Sequence, residues 1–389
     1  MEINKVFEEC FGKLPHLLVR APGRVNLLGE HVDYNEGPVL PAAIDRAVSL
    51  AAIPTPEEII SLYAKDLEDQ VTFSLESLEY KRDIHEQPLP HWAFYPAGVA
   101  WSLKKAGLAV SGLQAAYSSD IPIGAGLSSS AAVEVAFAMA WSACGSWERD
   151  KMTLARLCQR AENGYVGVAS GLMDQFASFH GTKDHVLYFD TRSLVWEAVP
   201  LPPATTLVIA DTGIRRNLAD SRYNQRRQAC EQAVKTLQDY LPEIRSLRDV
   251  SPVELAAFGE YLPVPIRQRA EHVVREIARV ETGVIALRRS DKRTFGALMF
   301  AGHASSRDLY EVSCTELDTL VEIAHQMPGC LGARMTGAGF GGCTVNLVEE
   351  TQTPGFIEGL KSAYREKVGK SPEVYLCRAS DGARFETLN

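Results

Sequence analysis

Metal-ligand spacing is absent from this chain. Its eight cysteines (Cys10, Cys144, Cys158, Cys230, Cys314, Cys330, Cys343 and Cys377) stand singly, with no CxxC pair, no Cys/His cluster and no HExxH, which excludes a zinc centre as the organising feature. They read as buried reduced thiols. Long apolar runs are absent too: AAVEVAFAMAWSACG is too short to cross a bilayer and contains Glu134, and the opening MEINKVFEEC is acidic without an apolar core. Positive charge is in deficit, with 40 Lys+Arg against 49 Asp+Glu and a net charge of −9, which excludes a broad surface for nucleic acid or an anionic membrane. The expectation is a cytoplasmic protein with small-molecule partners. A Walker A loop is also missing, because Gly369-Lys370-Ser371 has Tyr364 where the first glycine belongs.

What is present is an ordinary globular composition, 46% hydrophobic and 23% charged over 389 residues, which is long enough for two domains with a cleft between them. Strand-like runs (LLVRAP, RAVSLAAI, QVTFSL, LQAAYSS) mix with helical ones, so the class is α+β. Leu154, Leu157, Cys158, Ala161 and Tyr165 fall at the spacing of an amphipathic helix, with Glu162 at the edge of its stripe. Pro200, Pro202 and Pro203 separate LVWEAVPLP from TTLVIADT and place a boundary near 200, giving units 1–200 and 201–389. Helices are predicted from Tyr223 to Leu237, Ile266 to Leu287, Phe295 to Ala304 and Leu317 to His325, and strands at CTVNLV and EVYLCRA.

Three segments carry the chemistry. DIPIGAGLSSSAAVEVA sets Gly124 and Gly126 ahead of three serines and a run of helix formers. Glycines let the backbone approach a ligand, and the helix that follows offers unpaired N–H groups to a phosphate. Hydroxyls of Ser128, Ser129 and Ser130 can cap that helix, donate to phosphate or ligate magnesium. An N-capped buried helix is the structural alternative. The second segment, GARMTGAGFGGCTVNLV, fits GxGxxG from Gly337 to Gly342, but a strand follows it where a dinucleotide fold needs a helix. It reads as a strand-leading turn, or as a small-residue wall for a substrate. The third, RAPGRVNLLGEHVDYN, gathers Arg24, Glu30, His31 and Asp33 around two glycines, and such donors and acceptors suit a polyhydroxylated ligand as well as a solvated loop.

Together with AENGYVGVASGLMDQFASFHG and SRYNQRRQAC, these segments resemble, in chain order and over nearly the whole chain, the motifs of the GHMP kinases, and RAPGRVNLLGEHVDYN resembles the galactokinase signature. The resemblance implies a two-domain architecture with the active site in the interdomain cleft, and leaves open a return of the last strand, EVYLCRA, to the first domain. It also implies transfer of the γ-phosphoryl group of ATP to the anomeric hydroxyl of galactose. Residue by residue, it makes Glu30, His31, Asp33, Gly171, Asp174 and Tyr223 sugar contacts, with Arg24 and Asp174 catalytic at the anomeric oxygen. Gly124, Ala125, Gly126, Leu127, Ser128, Ser129 and Ser130 would wrap the phosphates, Ser130 and Glu162 would hold Mg2+, and Arg215 would reach the triphosphate. Of the neighbouring arginines Arg216, Arg222, Arg226 and Arg227, none is individually matched to a role. Trp92 and Tyr95 in HWAFY take the place of the aromatics beside adenine.

Val32, Glu36, Arg222 and Ala338 depart from the commonest galactokinase pattern without removing a proposed catalytic group. They bear on sugar specificity near O2 and C6, so a kinase for N-acetylgalactosamine or a related sugar is the first alternative. A non-catalytic sensor of sugar and ATP is the second, disfavoured because SSSAA, Arg24 and Asp174 all stand. An Arg24 beside Asp174 favours the charged carboxylate and makes it a weak proton acceptor. A monomer or weak homo-oligomer is expected.

Overall fold

The computed structural model describes residues 2–145, 147–215 and 221–388, so Arg216 lies outside the described residues. Thirteen strands and eleven α-helices are described, and the predicted α+β mixture holds throughout. The strands are β1 (Leu17–Asn26), β2 (Pro38–Val39), β3 (Pro41–Thr55), β4 (Ile59–Ala64), β5 (Asp69–Ser74), β6 (Gly112–Ser119) and β7 (His185–Asp190), followed by β8 (Trp196–Pro200), β9 (Thr205–Asp211), β10 (Cys330–Thr336), β11 (Cys343–Glu349), β12 (Glu373–Cys377) and β13 (Arg384–Thr387). They form a six-stranded sheet in the order β13-β1-β3-β6-β4-β5, a four-stranded sheet β10-β11-β9-β12, and a small sheet β2-β7-β8. Sequence pattern explains their burial. IISLYA in β4 alternates half-buried and buried residues, as a strand covered on one face should, whereas TTLVIAD in β9 is buried from its second residue onward.

Helices α1 (Ile3–Phe11), α2 (Phe94–Lys105), α3 (Ser129–Cys144), α4 (Lys151–Ala161) and α5 (Met173–His180) belong to the first half. The alanine-rich α3 is apolar on every side and lies buried against β1 and β3, with α2, α4 and α5 around it. Asp150 caps α4 by accepting from Thr153 N at 2.9 Å. The helix then changes to a π-turn over Glu162–Val166 and stops at Gly167, φ 96°. Glu162 itself keeps helical φ −61° and ψ −46° and follows the buried Ala155 and Cys158 on one face, so the residue at the edge of the predicted stripe is 5% exposed.

The second half adds α6 (Ser221–Leu237), α7 (Pro252–Phe258), α8 (Val264–Arg288), α9 (Lys292–Asp308), α10 (Thr315–Gln326) and α11 (Thr353–Val368). Helices α9 and α10 pack on β10, while α8 packs on α6 and α9. The core is continuous across the halves, with Leu27 and Leu28 buried in the same cluster as Val280, Val284 and Phe295. Within EVYLCRA, Glu373–Cys377 pairs with β9 while Arg378 and Ala379 reach β3, with Asp45 N donating to Arg378 O at 3.1 Å and Ala379 bridging Ile44, and the later segment Arg384–Thr387 pairs with β1. No described helix is long and apolar enough to cross a membrane.

Candidate active site

A cleft of about 960 Å³, including its open mouth, lies where the turn after β1, the loop before α3 and the β10–β11 turn converge. Glu30, 2% exposed, accepts from Gly337 N at 2.8 Å. Burial pushes its carboxyl up to about 7 against the pull of Arg334 and Arg24. His31 has φ 61°, a conformation uncommon for a side chain of its size and held here from both ring nitrogens. Burial lowers its pKa to about 3, so the ring is neutral. Its Nε2 lies 3.2 Å from the Ala338 carbonyl and so carries the proton, which makes Nδ1 the acceptor from Tyr34 Oη at 2.8 Å. The order continues, because Tyr34 then accepts from Tyr310 Oη, also at 2.8 Å. Asp33 is pushed up to about 6 by burial and by Asp174. The Asp33 carboxylate packs so closely on Gly171 that a Cβ there would lie 1.9 Å from Oδ2, which is why glycine stands at that position. The Tyr223 ring, 5.4 Å from that of His31, forms the facing wall.

At the centre, Arg24 grips Asp174 with two charge-assisted bonds, Nε to Oδ1 and Nη2 to Oδ2, both 2.8 Å. Its remaining nitrogen donates to Gly126 O at 2.6 Å. Burial pulls the guanidinium down, yet Asp174, Glu30 and Asp33 together hold it above its ordinary value. Ser128, at φ 59°, donates its hydroxyl to Asp174 Oδ2 at 2.5 Å instead of capping α3. The N-terminus of α3 thus has no side-chain cap and opens on the cleft with Ser129 and Ser130 beside it. Gly124 and Gly126 line the same wall, and Gly126 packs on Gly337 backbone to backbone, where a Cβ on Gly337 would lie 2.5 Å from Gly126 O.

Glu162 also reaches the cleft. It accepts from Gln175 Nε2 at 2.9 Å, from Ser130 Oγ at 3.4 Å and from Ser170 Oγ. Burial raises its pKa, with Asp174 adding to the effect, and no salt bridge is described for it.

The remaining predicted residues lie apart from the cleft lining. Ala125 and Leu127 point into the core, at 0% and 1% exposed, and Leu127 O is used to accept from Arg24 N at 3.1 Å. Arg215 lies against Gly124 but its guanidinium is paired with Asp211 through two bonds of 2.7 Å. Trp92 donates Nε1 to Asp69 Oδ2 at 2.7 Å and stands 6.0 Å from the Tyr117 ring. Tyr95 is half-buried, and burial first and then Glu162 and Glu134 hold its hydroxyl in the neutral form.

Residues 5–54 match the model of the galactokinase galactose-binding signature, 95–182 that of the GHMP kinases N terminal domain, and 284–366 that of the GHMP kinases C terminal domain. A Roseiflexus galactokinase is 48% identical over 381 residues, 98% of this chain and 96% of the relative. The chain belongs to the galactokinases. The human galactokinase is 41% identical over all of this chain and 96% of its own length. A Lactococcus lactis galactokinase solved with galactose superposes with a TM-score of 0.92 at 34% identity, covering 98% of both chains. A Methanococcus jannaschii mevalonate kinase, at TM-score 0.65 and 18% identity, shares the fold alone.

The loops that line the cleft stand out in the sequence and their supports do not. Ser170, Val168 and Met173 line the cleft, as do Ala338 and Gly341. The glycine-rich wall was legible in GAGFGG, whereas Gln175, Glu276 and Arg334 sit in segments whose patterns give only helix and strand. For a magnesium ion, the buried, uncompensated Glu162 carboxylate with the Ser130 hydroxyl beside it is a fitting pair of hard oxygen donors. Among the described residues no group of three or more His, Cys, Asp or Glu is placed to hold a metal, so protein donors alone would not complete a shell.

Proposed function

We propose that this galactokinase acts in the cytoplasm, binds galactose between Glu30, His31, Asp33, Gly171 and Tyr223, and transfers the γ-phosphoryl group of ATP to O1 at the Arg24–Asp174 pair. The observation that carries the reading is this pair's place between the sugar-suited turn and the uncapped N-terminus of α3. Three donors, two from Arg24 and one from Ser128, sit on a carboxylate with about four acceptor sites, which leaves room for the anomeric O1–H. Asp174 therefore orients O1 and, although Arg24 makes it a weak base, takes up the O1 proton as O1 attacks, while Arg24 stabilises the developing alkoxide. Gly124 to Ser130 hold the phosphates by backbone N–H and hydroxyl groups. Ser130 and Glu162 are the proposed magnesium ligands, and the ion, when bound, offsets charge on the triphosphate.

Adenine is assigned to the side of Trp92 and Tyr95. Arg215 reaches the triphosphate by exchanging Asp211 for phosphate, a trade of one charged partner for a stronger one. The two units divide near residue 200, with the Arg384–Thr387 strand joining the first. Every proposed group comes from one chain, so a monomer suffices for the reaction.

The test is ADP release over a sugar panel with phosphorus NMR of the product. Galactose gives α-galactose 1-phosphate, and glucose is poor because a misdirected hydroxyl leaves a buried group unpaired at a cost of roughly 1–3 kcal/mol. Equal rates with both sugars, a preference for N-acetylgalactosamine, or phosphate at O6 would refute the assignment.

A further inference from the structure

Glu30 stands between two residues in left-handed backbone conformation, Gly29 at φ 96° and His31 at φ 61°. Such a turn is held only where its surroundings over-determine it, and the glycine gives the peptide planes freedom to rotate. The restraint comes from the other half of the chain. On α8, His272 and Glu276 are four residues apart and therefore on one face. His272 Nε2 donates to the carbonyl of Glu30 at 3.2 Å, and Glu276 Oε1 accepts from Gly29 N at 2.8 Å and from Glu30 N at 3.4 Å.

The clamp is itself held. Ser305 Oγ lies 2.9 Å from His272 Nδ1, which accepts from it because burial lowers the ring's pKa to about 4 and keeps it neutral. Glu276 is fully buried against the fully buried Arg334, Nη1 to Oε1 at 2.7 Å, and Arg279 Nε takes its other oxygen at 2.5 Å. Arg334 Nη1 also reaches Leu27 O at 3.3 Å, at the start of the same turn. A buried ion pair of this kind is weak evidence for stability, since its desolvation offsets its attraction, but it can fix one arrangement among several. Here the arrangement fixed is the turn that carries Glu30.

We propose that His272 and Glu276 are positioning residues for the sugar, clamping the backbone on both sides of Glu30 so that its carboxylate is set in the cleft before galactose arrives. The inference rests on the reading of Glu30 as a sugar contact. It adds a residue pair on α8 that touches no substrate and yet governs galactose affinity and discrimination against glucose.

The experiment measures galactose binding by calorimetry without nucleotide, together with KM for ATP, kcat and the galactose-to-glucose ratio. His272→Leu removes one bond to the turn and leaves the ion pair. The double variant Glu276→Leu with Arg334→Met removes the fully buried pair together, so that the one cation left without its carboxylate is Arg279, which is 12% exposed and nearer the solvent. Galactose affinity is expected to fall about three- to tenfold in the first and about tenfold or more in the second. KM for ATP and kcat at saturating galactose should stay within about twofold, and the sugar ratio should drop. Galactose affinity unchanged in His272→Leu, or sugar and ATP weakened equally in it, overturns the clamp, and this arm decides even if the double variant does not fold. Glu30→Gln separates the two levels. Loss of binding there with intact binding in His272→Leu defeats the clamp alone, whereas wild-type binding in Glu30→Gln defeats the sugar reading and the clamp with it.

Discussion

On the sugar side of the cleft Glu30, His31 and Arg24 are each no more than 4% exposed and each holds fixed partners. On the phosphate side Gly124 is exposed, Ser129 and Ser130 are half-buried, the aromatics stand outside the cavity lining, and Arg215 is occupied by Asp211. One wall is finished in the free protein, and the other has groups that must change partner to receive a ligand. On the proposed assignment, sugar selectivity would rest on buried backbone turns, whereas nucleotide binding would draw on groups that change partner.

The sharpest break in this contrast comes at the point where the walls meet. Asp174→Asn should lower kcat by about 10²–10⁴ with galactose and ATP still bound, as loss of a positioned proton acceptor does. Arg24→Ala is its comparator: if the arginine variant is the more damaged and the asparagine variant keeps substantial turnover, Asp174 orients and Arg24 carries the alkoxide. Near wild-type turnover in both would remove them from the reacting centre.

A rigid wall should tolerate no added atom. In Gly171→Ala the new methyl overlaps the Asp33 carboxylate, and overpacking of this kind costs about 1–3 kcal/mol. Galactose KM should rise about tenfold or more while ATP KM holds, and steady-state titration of each substrate reads this directly; equal changes in both would mean that the walls are not separable. On the other wall, Glu162→Gln should raise the magnesium needed for half-maximal rate, with sugar binding untouched. An unchanged magnesium curve returns Glu162 to a structural role.

Acid should also distinguish the walls. Glu30 and Asp33 titrate near 7 and 6 through burial, so lowering pH through that range protonates them and withdraws acceptors from the sugar hydroxyls. Galactose KM should therefore rise as pH falls from 8 to 5, and Glu30→Gln should flatten the upper part of the profile. The sign for stability is opposite. Raised carboxyl pKa values mean that the folded state binds more protons, so these two groups favour folding more as pH falls through the same window. The smallest effect is expected from Trp92→Ala, a severalfold loss of ATP affinity from about 0.5–1.5 kcal/mol of ring contact. Normal ATP binding with a lowered Tm would make Trp92 a core residue that anchors Asp69.

Legibility in the sequence followed the same divide between local and distant. Glu30, His31 and Asp33 crowd one turn, and Gly124 to Ser130 one loop, so residue type and spacing alone expose them. Glu162 was visible only as the edge of a stripe, because a glutamate at a helix edge ordinarily faces water, although its spacing from the buried Cys158 and Ala155 puts it on the covered face. The Ser128 bond to Asp174 depends on where two distant segments meet in space, whereas Arg215 pairs with Asp211 only four residues away, a local contact that the resemblance, which implied a phosphate role for Arg215, did not point to. Glu276 and Arg334 escaped altogether, since a glutamate on a helix and an arginine in a strand ordinarily face water.

The pairing of β13 with β1 constrains how the molecule is made. Leu17 to Arg20 pair with Thr387 to Arg384, Leu388 N donates to His16 O at 2.8 Å, and Ser380 N donates to Ala43 O at 2.9 Å. During synthesis the strand that opens the first sheet must wait for residues more than three hundred positions downstream, while the sheet's flank offers unpaired backbone to any passing chain. The outer edge of β1 therefore stays unpaired until residues 384–387 have emerged, and a premature stop between residues 378 and 383 would leave every proposed active-site residue encoded and that flank uncovered.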